Sequence, residues 1–338
     1  MTTRLTRWCV AAATLALALG ALAVAPAQAA PPSSAKSRHD QVVSFWTNDK
    51  IKQAKPRGYD LNTSTGKFTP TRQTTATAAP KASGTTASWN GGGAVLKTTG
   101  KVFFAMPDGY YVCSASVVKD AIADRSIILT AGHCVFDNAT SQFSSMWMFV
   151  PDYDSNPVNL DKAGAFCAQT TYGCWTATSI VASSGFTAQK SFNTTATLND
   201  FAFVVVGAGG KNMAQLDATV GAQNISFAKA STGITAYSFG YPAGAPYTGK
   251  DLTYSSSKLA MDARNASKTY QIASTMTGGC SGGPWFQNFS ASTGTGTLFS
   301  VNSYGYGTNS TTMQGPVLNA KAQSMFKAAA TSVGNVAM

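Results

Sequence analysis

Thr130-Ala131-Gly132-His133-Cys134 and Gly278-Gly279-Cys280-Ser281-Gly282-Gly283-Pro284 are the stretches on which the reading of this chain turns. The first carries the one histidine outside the N-terminal region, since the other, His39, follows closely behind an export segment. All 14 acidic residues are aspartates. Proton transfer near neutral pH must therefore run through His133, an aspartate, or a group with a strongly displaced pKa. The second stretch places a serine in a glycine turn. A serine hydroxyl is a poor nucleophile until a base takes its proton, and the base needs a third group to hold its tautomer. Ser281 and His133 supply the first two roles. Among the aspartates between them Asp200 is the best placed, at the mouth of the apolar run Phe201-Ala202-Phe203-Val204-Val205-Val206. An isolated acid there is costly to bury unless something bonds it; read alone, it is equally a turn residue that starts a strand. Asp152, Asp154 and Asp161 lie in a Pro/Asn-rich stretch and read as solvated loop residues.

Outward from these stretches, the chain divides by composition. Arg4 and Arg7, the apolar run Val10 to Val24 and Ala27-Gln28-Ala29 form an export signal over residues 1–29. Its apolar run is short and alanine-rich for a spanning helix, and nothing later resembles one. Residues 30–87 are rich in Lys, Arg, Thr, Ala and Pro and too poor in apolar residues to form a core alone, so they read as a pro-segment or a flexible tail. Much of the formal charge of +11 sits there; from residue 88 onward 14 Lys plus Arg face 11 Asp, about +3. No Lys/Arg stripe with interleaved aromatics follows, which argues against a nucleic-acid partner.

Residues 88–338 read as an all-β body. Short β-branched or aromatic runs at Val102–Ala105, Tyr111–Val118, Ser126–Leu129, Met146–Val150, Phe201–Val206, Ile234–Phe239 and Leu298–Tyr304 are separated by Gly, Pro, Asn, Asp and Ser clusters. Only Leu318–Ala329 has a helical period, with Gly334 beyond its end. Outside the signal stand five cysteines, Cys113, Cys134, Cys167, Cys174 and Cys280, an odd number that leaves at least one unpaired within the chain. Cys167 and Cys174 are near enough in sequence to close a small hairpin.

The histidine segment, Asn199-Asp200-Phe201-Ala202 and the serine segment resemble the three signatures of chymotrypsin-like (trypsin-family) serine peptidases, in that family's order. The resemblance implies two antiparallel β-barrels with the site between them and a C-terminal helix. It implies His133 as general base, Asp200 as its orienting partner and Ser281 as nucleophile, with the N–H groups of Gly279 and Ser281 as oxyanion hole. It pairs Cys113 with Cys134 around the histidine loop, which leaves Cys280 free if Cys167 and Cys174 pair. A Cys280 nucleophile is out of register, because that slot belongs to Ser281. The function implied is a secreted endopeptidase acting on protein or peptide substrates as a monomer, without metal or organic cofactor. A single histidine and no glutamate also fall short of the usual zinc ligand sets. The rival is a silent binding protein on the same fold.

Two departures from the family pattern matter. Cys280 stands where the trypsin branch has an aspartate that pairs with a newly freed N-terminus, so that activation switch cannot operate. Thr275 stands where trypsins have a pocket aspartate, and Asn302 where glutamate-cleaving relatives have a histidine. With Ser303, Tyr304 and Gly305 as a pocket wall, the expectation is a neutral side chain at the cleaved position.

Overall fold

The computed structural model describes residues 37–71, 78–266, 268–307 and 309–338. The export signal expected at residues 1–29 lies outside them. Six strands close a barrel in the order Gly109–Val118, Thr99–Met106, Ser145–Pro151, Trp175–Ala182, Ala202–Val206 and Ser126–Thr130, the last pairing back onto the first. Every pairing in the ring is antiparallel, and closure leaves these six without a free edge. Thr99–Met106 and Ala202–Val206 are buried at every residue. One face of each strand fills the barrel and the other is covered from outside; Phe326 of the C-terminal helix, for instance, packs on Phe203 at 5.5 Å between ring centroids.

The second half holds two sheets. One runs Asn224–Ile225, Thr295–Val301, Pro284–Ser290, Thr235–Gly240, Thr253–Lys258 and Thr85–Ser88; the other runs Ala260–Met261, Tyr270–Ala273, Thr312–Gly315, Tyr304–Gly305, Tyr59–Asn62 and Lys67–Pro70. The architecture is all-β with two barrel halves and a C-terminal helix, Ala320–Ala329, capped by the Asn319 side chain. Among the described residues no helix is long and apolar enough to cross a membrane.

Several local expectations change. The run Leu298–Tyr304 is not one strand: it breaks at Asn302 and Ser303, where the chain passes from one sheet to the other. The break is set by the glycine turn, since Asn302 N–H donates to Gly283 O (2.9 Å) and Gly282 N–H to Asn302 O (2.8 Å). Asp152 is buried rather than solvated and accepts from Ser155 Oγ at 2.6 Å.

Within residues 30–87, expected as pro-segment or flexible tail, residues 37–71 are not a flexible tail but helices and strands packed against both halves. Arg38–Phe45 and Asn48–Gln53 are helical, capped by Ser37 and Thr47. Having no core of their own, they bury Val42, Trp46 and Ile51 on the domain, and Trp46 Nε1 donates to Met146 O at 2.7 Å. Lys55–Pro56 then pairs in parallel with Gly109–Val118, and the hairpin Tyr59–Asn62/Lys67–Pro70 joins Tyr304–Gly305. Thr85–Ser88 pairs with Thr253–Lys258, so sheet pairing begins on the N-terminal side of the boundary drawn at residue 88. Cys113 is joined to Cys134 and Cys167 to Cys174, while Cys280 is free and buried.

Candidate active site

His133 sits in a single turn, Gly132–Cys134, at the end of the barrel strand Ser126–Thr130. The Cys113–Cys134 bridge ties that turn to the neighbouring strand. The pairing of Ala202 with Thr130 brings Asp200, just before its own strand, level with the turn. Asp200 Oδ1 accepts from the His133 N–H at 2.9 Å, and Oδ2 lies 2.8 Å from His133 Nδ1. Ser303 Oγ donates to Oδ2 at 2.5 Å. Both Asp200 and His133 are fully buried, so three bonds replace the water the carboxylate has lost. With Nδ1–H donated to Asp200, the acceptor of the neutral ring is Nε2. That nitrogen is buried and has no hydrogen-bond partner among the described residues, Ser281 Oγ included.

Ser281 sits in the turn before the strand Pro284–Ser290 of the second half, its carbonyl oxygen 3.6 Å from Cys134 Sγ. The turn that carries it needs glycine at two places. A Cβ on Gly282 would lie 2.1 Å from Thr130 Oγ1, and Gly279 and Gly282 have φ of +100° and +80°. Gly278 O accepts from the N–H groups of Ala243 (2.8 Å) and Gly244 (3.2 Å); Cys280 O accepts from Gly283 N–H (2.9 Å) and Asn302 Nδ2 (3.0 Å). A trans peptide points its N–H opposite its carbonyl, so the Gly279 and Ser281 amides face away from these partners. Neither donates to another described residue. The result is an orienting carboxylate, a base, a hydroxyl and two unengaged donors, the parts an acyl transfer requires.

Asn302 contributes more than the sequence disclosed. Fully buried, it donates from Nδ2 to Phe239 O (2.9 Å) as well as Cys280 O, and accepts from Trp285 Nε1 at 2.7 Å. A lone asparagine in an apolar run that must satisfy every polar atom is the signal that could have marked it.

No model of a known protein family matches the sequence, and no match was found among the curated proteins. Solved structures do match. The crystal structure of the protease Anisep from Arthrobacter nicotinovorans is 36% identical with a TM-score of 0.57, and 70% of this chain covers 96% of that one. The thermostable serine protease AL20 from an extremophilic microorganism is 32% identical with a TM-score of 0.58, 71% of this chain covering 99% of it. The chain belongs to the chymotrypsin-like serine peptidases.

In this family member Thr275, Ser303, Tyr304 and Gly305 line one pocket together with Ser281. Thr275 Oγ1 lies 2.7 Å from Tyr247 OH, so the hydroxyl of this neutral lining residue is already engaged. The Tyr304 hydroxyl donates to Asp262 Oδ2 at 2.8 Å. Cys280 lies under the pocket, where burial pushes its thiol pKa far up and keeps it protonated, a poor nucleophile. Cys113 and Cys134 lie close enough to His133 for a metal ion, but their disulfide leaves no thiolate to bind one.

Asp60, from the N-terminal hairpin, is the only charged side chain among the described residues lining the pocket. Burial raises its carboxyl pKa from an ordinary 3.8 to about 6, against a hydrogen bond from Thr71 that lowers it. The folded form therefore holds this proton more tightly than the unfolded chain. Stability at this residue is fully present below pH 3.8 and is lost as pH rises to about 6. Asp60→Asn cannot ionise, so its melting temperature relative to the parent should climb between pH 4 and pH 7. Thermal unfolding at both pH values checks this, and a difference that does not change with pH would refute it.

Proposed function

We propose that this protein is a secreted serine endopeptidase, made with an export signal and a pro-segment, whose triad is His133, Asp200 and Ser281. The observation that carries the reading is the buried Asp200 carboxylate, bonded to both the ring and the backbone of His133 beside a serine turn with two unengaged amides. In the proposed reaction Ser281 Oγ attacks the scissile carbonyl carbon while its proton passes to His133 Nε2. Asp200 holds the Nδ1–H tautomer and stabilises the imidazolium. The carbonyl oxygen becomes an oxyanion held by the Gly279 and Ser281 N–H groups. Collapse breaks the C–N bond, the leaving amine takes the proton from His133, and water repeats the sequence on the acyl-enzyme. No metal or organic cofactor enters, and one copy of the chain holds all the groups. The lack of a hydrogen bond on His133 Nε2 keeps a second reading in view, a silent binding protein on the same fold.

A fluorophosphonate probe separates the two on protein freed of residues 37–71. Parent protein should become labelled at Ser281, and Ser281→Ala should lose labelling and about four or more orders of magnitude in kcat while keeping its fold. Undiminished peptidase activity in Ser281→Ala would remove that residue from the mechanism.

Asn302 is proposed as a positioning residue for the oxyanion turn. Asn302→Ala should lower kcat by about tenfold or more with KM changed less than about threefold, because the donors act on developing charge rather than on bound substrate. Steady-state kinetics decide this, and a change confined to KM would contradict it.

The neutral Thr275 in the pocket lining supports a preference for uncharged side chains at the cleaved position. Profiling on a mixed peptide library should show less than about tenfold preference for Lys, Arg, Glu or Asp over neutral residues, since no charge among the domain's own lining residues meets them.

A further inference from the structure

The N-terminal hairpin lies in the cleft itself. Tyr59 and Asp60 pair in parallel with Tyr304 and Gly305, adding a strand along the pocket wall. Gly58 rests against the nucleophile: a Cβ there would be 3.5 Å from Ser281 Oγ and 3.4 Å from Gly278 Cα. Its carbonyl accepts from the Thr71 N–H at 2.9 Å, at the far end of the hairpin. That oxygen is thus tied within the hairpin, and the amides of Gly279 and Ser281 donate to no described residue.

The same segment seals the base. Tyr59 stacks on Phe192 (4.1 Å, 2° between planes) and meets the His133 ring edge-on at 5.4 Å. Phe68 meets Phe192 edge-on at 5.2 Å. Arg57 Nε donates to His133 O at 3.0 Å, and its Nη2 is 3.7 Å from Asp137 Oδ1, both side chains buried. This cover accounts for a base nitrogen without solvent or partner.

We infer that residues 55–71 are an intramolecular inhibitor of the catalytic cleft, bound as an added strand whose carbonyl is withheld from the oxyanion donors; this rests on the triad reading above. The helices of residues 38–53 anchor it through Trp46. Release requires a cut between Thr71 and Thr85, where the hairpin ends and the domain's own edge strand begins.

The test uses the full chain with a recognition site for an exogenous sequence-specific protease inserted between Lys81 and Ala82, its integrity followed by mass spectrometry. Fluorophosphonate labelling of Ser281 should be at least about a hundredfold slower in the uncut chain than after cutting and separating the N-terminal fragment. Adding back a synthetic peptide of residues 37–71 should slow labelling again and leave the peptide intact. Should the separated domain unfold, the uncut Arg57→Ala/Tyr59→Ala chain provides the second measurement, with labelling about tenfold faster than the uncut parent, as expected for truncating buried Arg and Tyr anchors. Uncut parent labelled as fast as the cut protein, or as the double variant, overturns the inhibitor role. Cut, folded protein that never labels overturns the triad reading, and the inhibitor role with it.

Discussion

A carboxylate taken wholly out of water is tolerable only if its neighbours replace the water, and the cleft is organised around doing this for Asp200. Its donors come from both halves of the molecule. His133 belongs to the first barrel, brought level by the register of Ala202 with Thr130. Ser303 belongs to the second, from the point where the chain changes sheets. Removing a donor would leave a buried charge short of partners, a loss of several kcal/mol in general. The same bonds that make the acid tolerable also fix which nitrogen of His133 is free to accept a proton, so the folding constraint and the chemical one are met by one set of contacts.

The serine turn is built on a different principle. Nothing charged holds it. The carbonyls of Gly278 and Cys280 are drawn outward by Ala243, Gly244, Gly283 and Asn302, and peptide planarity does the rest. This bears on how such a chain could be kept inactive. The trypsin-branch aspartate is replaced by Cys280, whose thiol is buried and protonated, and the turn is already braced while the N-terminal hairpin is in place. Latency on the proposed scheme is therefore occlusion of a cleft whose oxyanion turn is already braced, in contrast to a switch that orders the oxyanion donors on activation. Asp60 adds a modest pH sensitivity, since its burial is least favourable when ionised.

Much of this was legible in the residues. The β-branched runs became barrel strands because both faces of a closed barrel wall are covered, and continuous apolar strings survive there. Thr253–Lys258, with the sequence Thr-Tyr-Ser-Ser-Ser-Lys, escaped notice because it lacks that pattern. It is held instead by pairing on both edges and by hydroxyls, Ser255 Oγ lying 2.9 Å from Thr86 Oγ1 and 2.8 Å from Ser274 Oγ. The leader-side residues 37–71 were equally opaque. Their few apolar side chains form no period of their own, and the surface that buries Trp46 is contributed by Phe103, Tyr110 and Met146, distant in sequence.

The sequence by itself determined the candidate chemistry and the fold class. One histidine beyond the N-terminal region, a serine in a glycine turn and an acid before an apolar strand leave few alternatives, because bases near neutral pH are scarce in this chain and the three segments stand in the family's order. Tertiary structure decided what those residues touch. That Ser303 reaches Asp200 across 103 positions, that Asn302 braces the serine turn, and that Gly58 lies against Ser281 are facts of register and sheet order. Local propensity carries no information about them: a hydrogen bond between distant segments exists only once the strands that hold both ends have been placed.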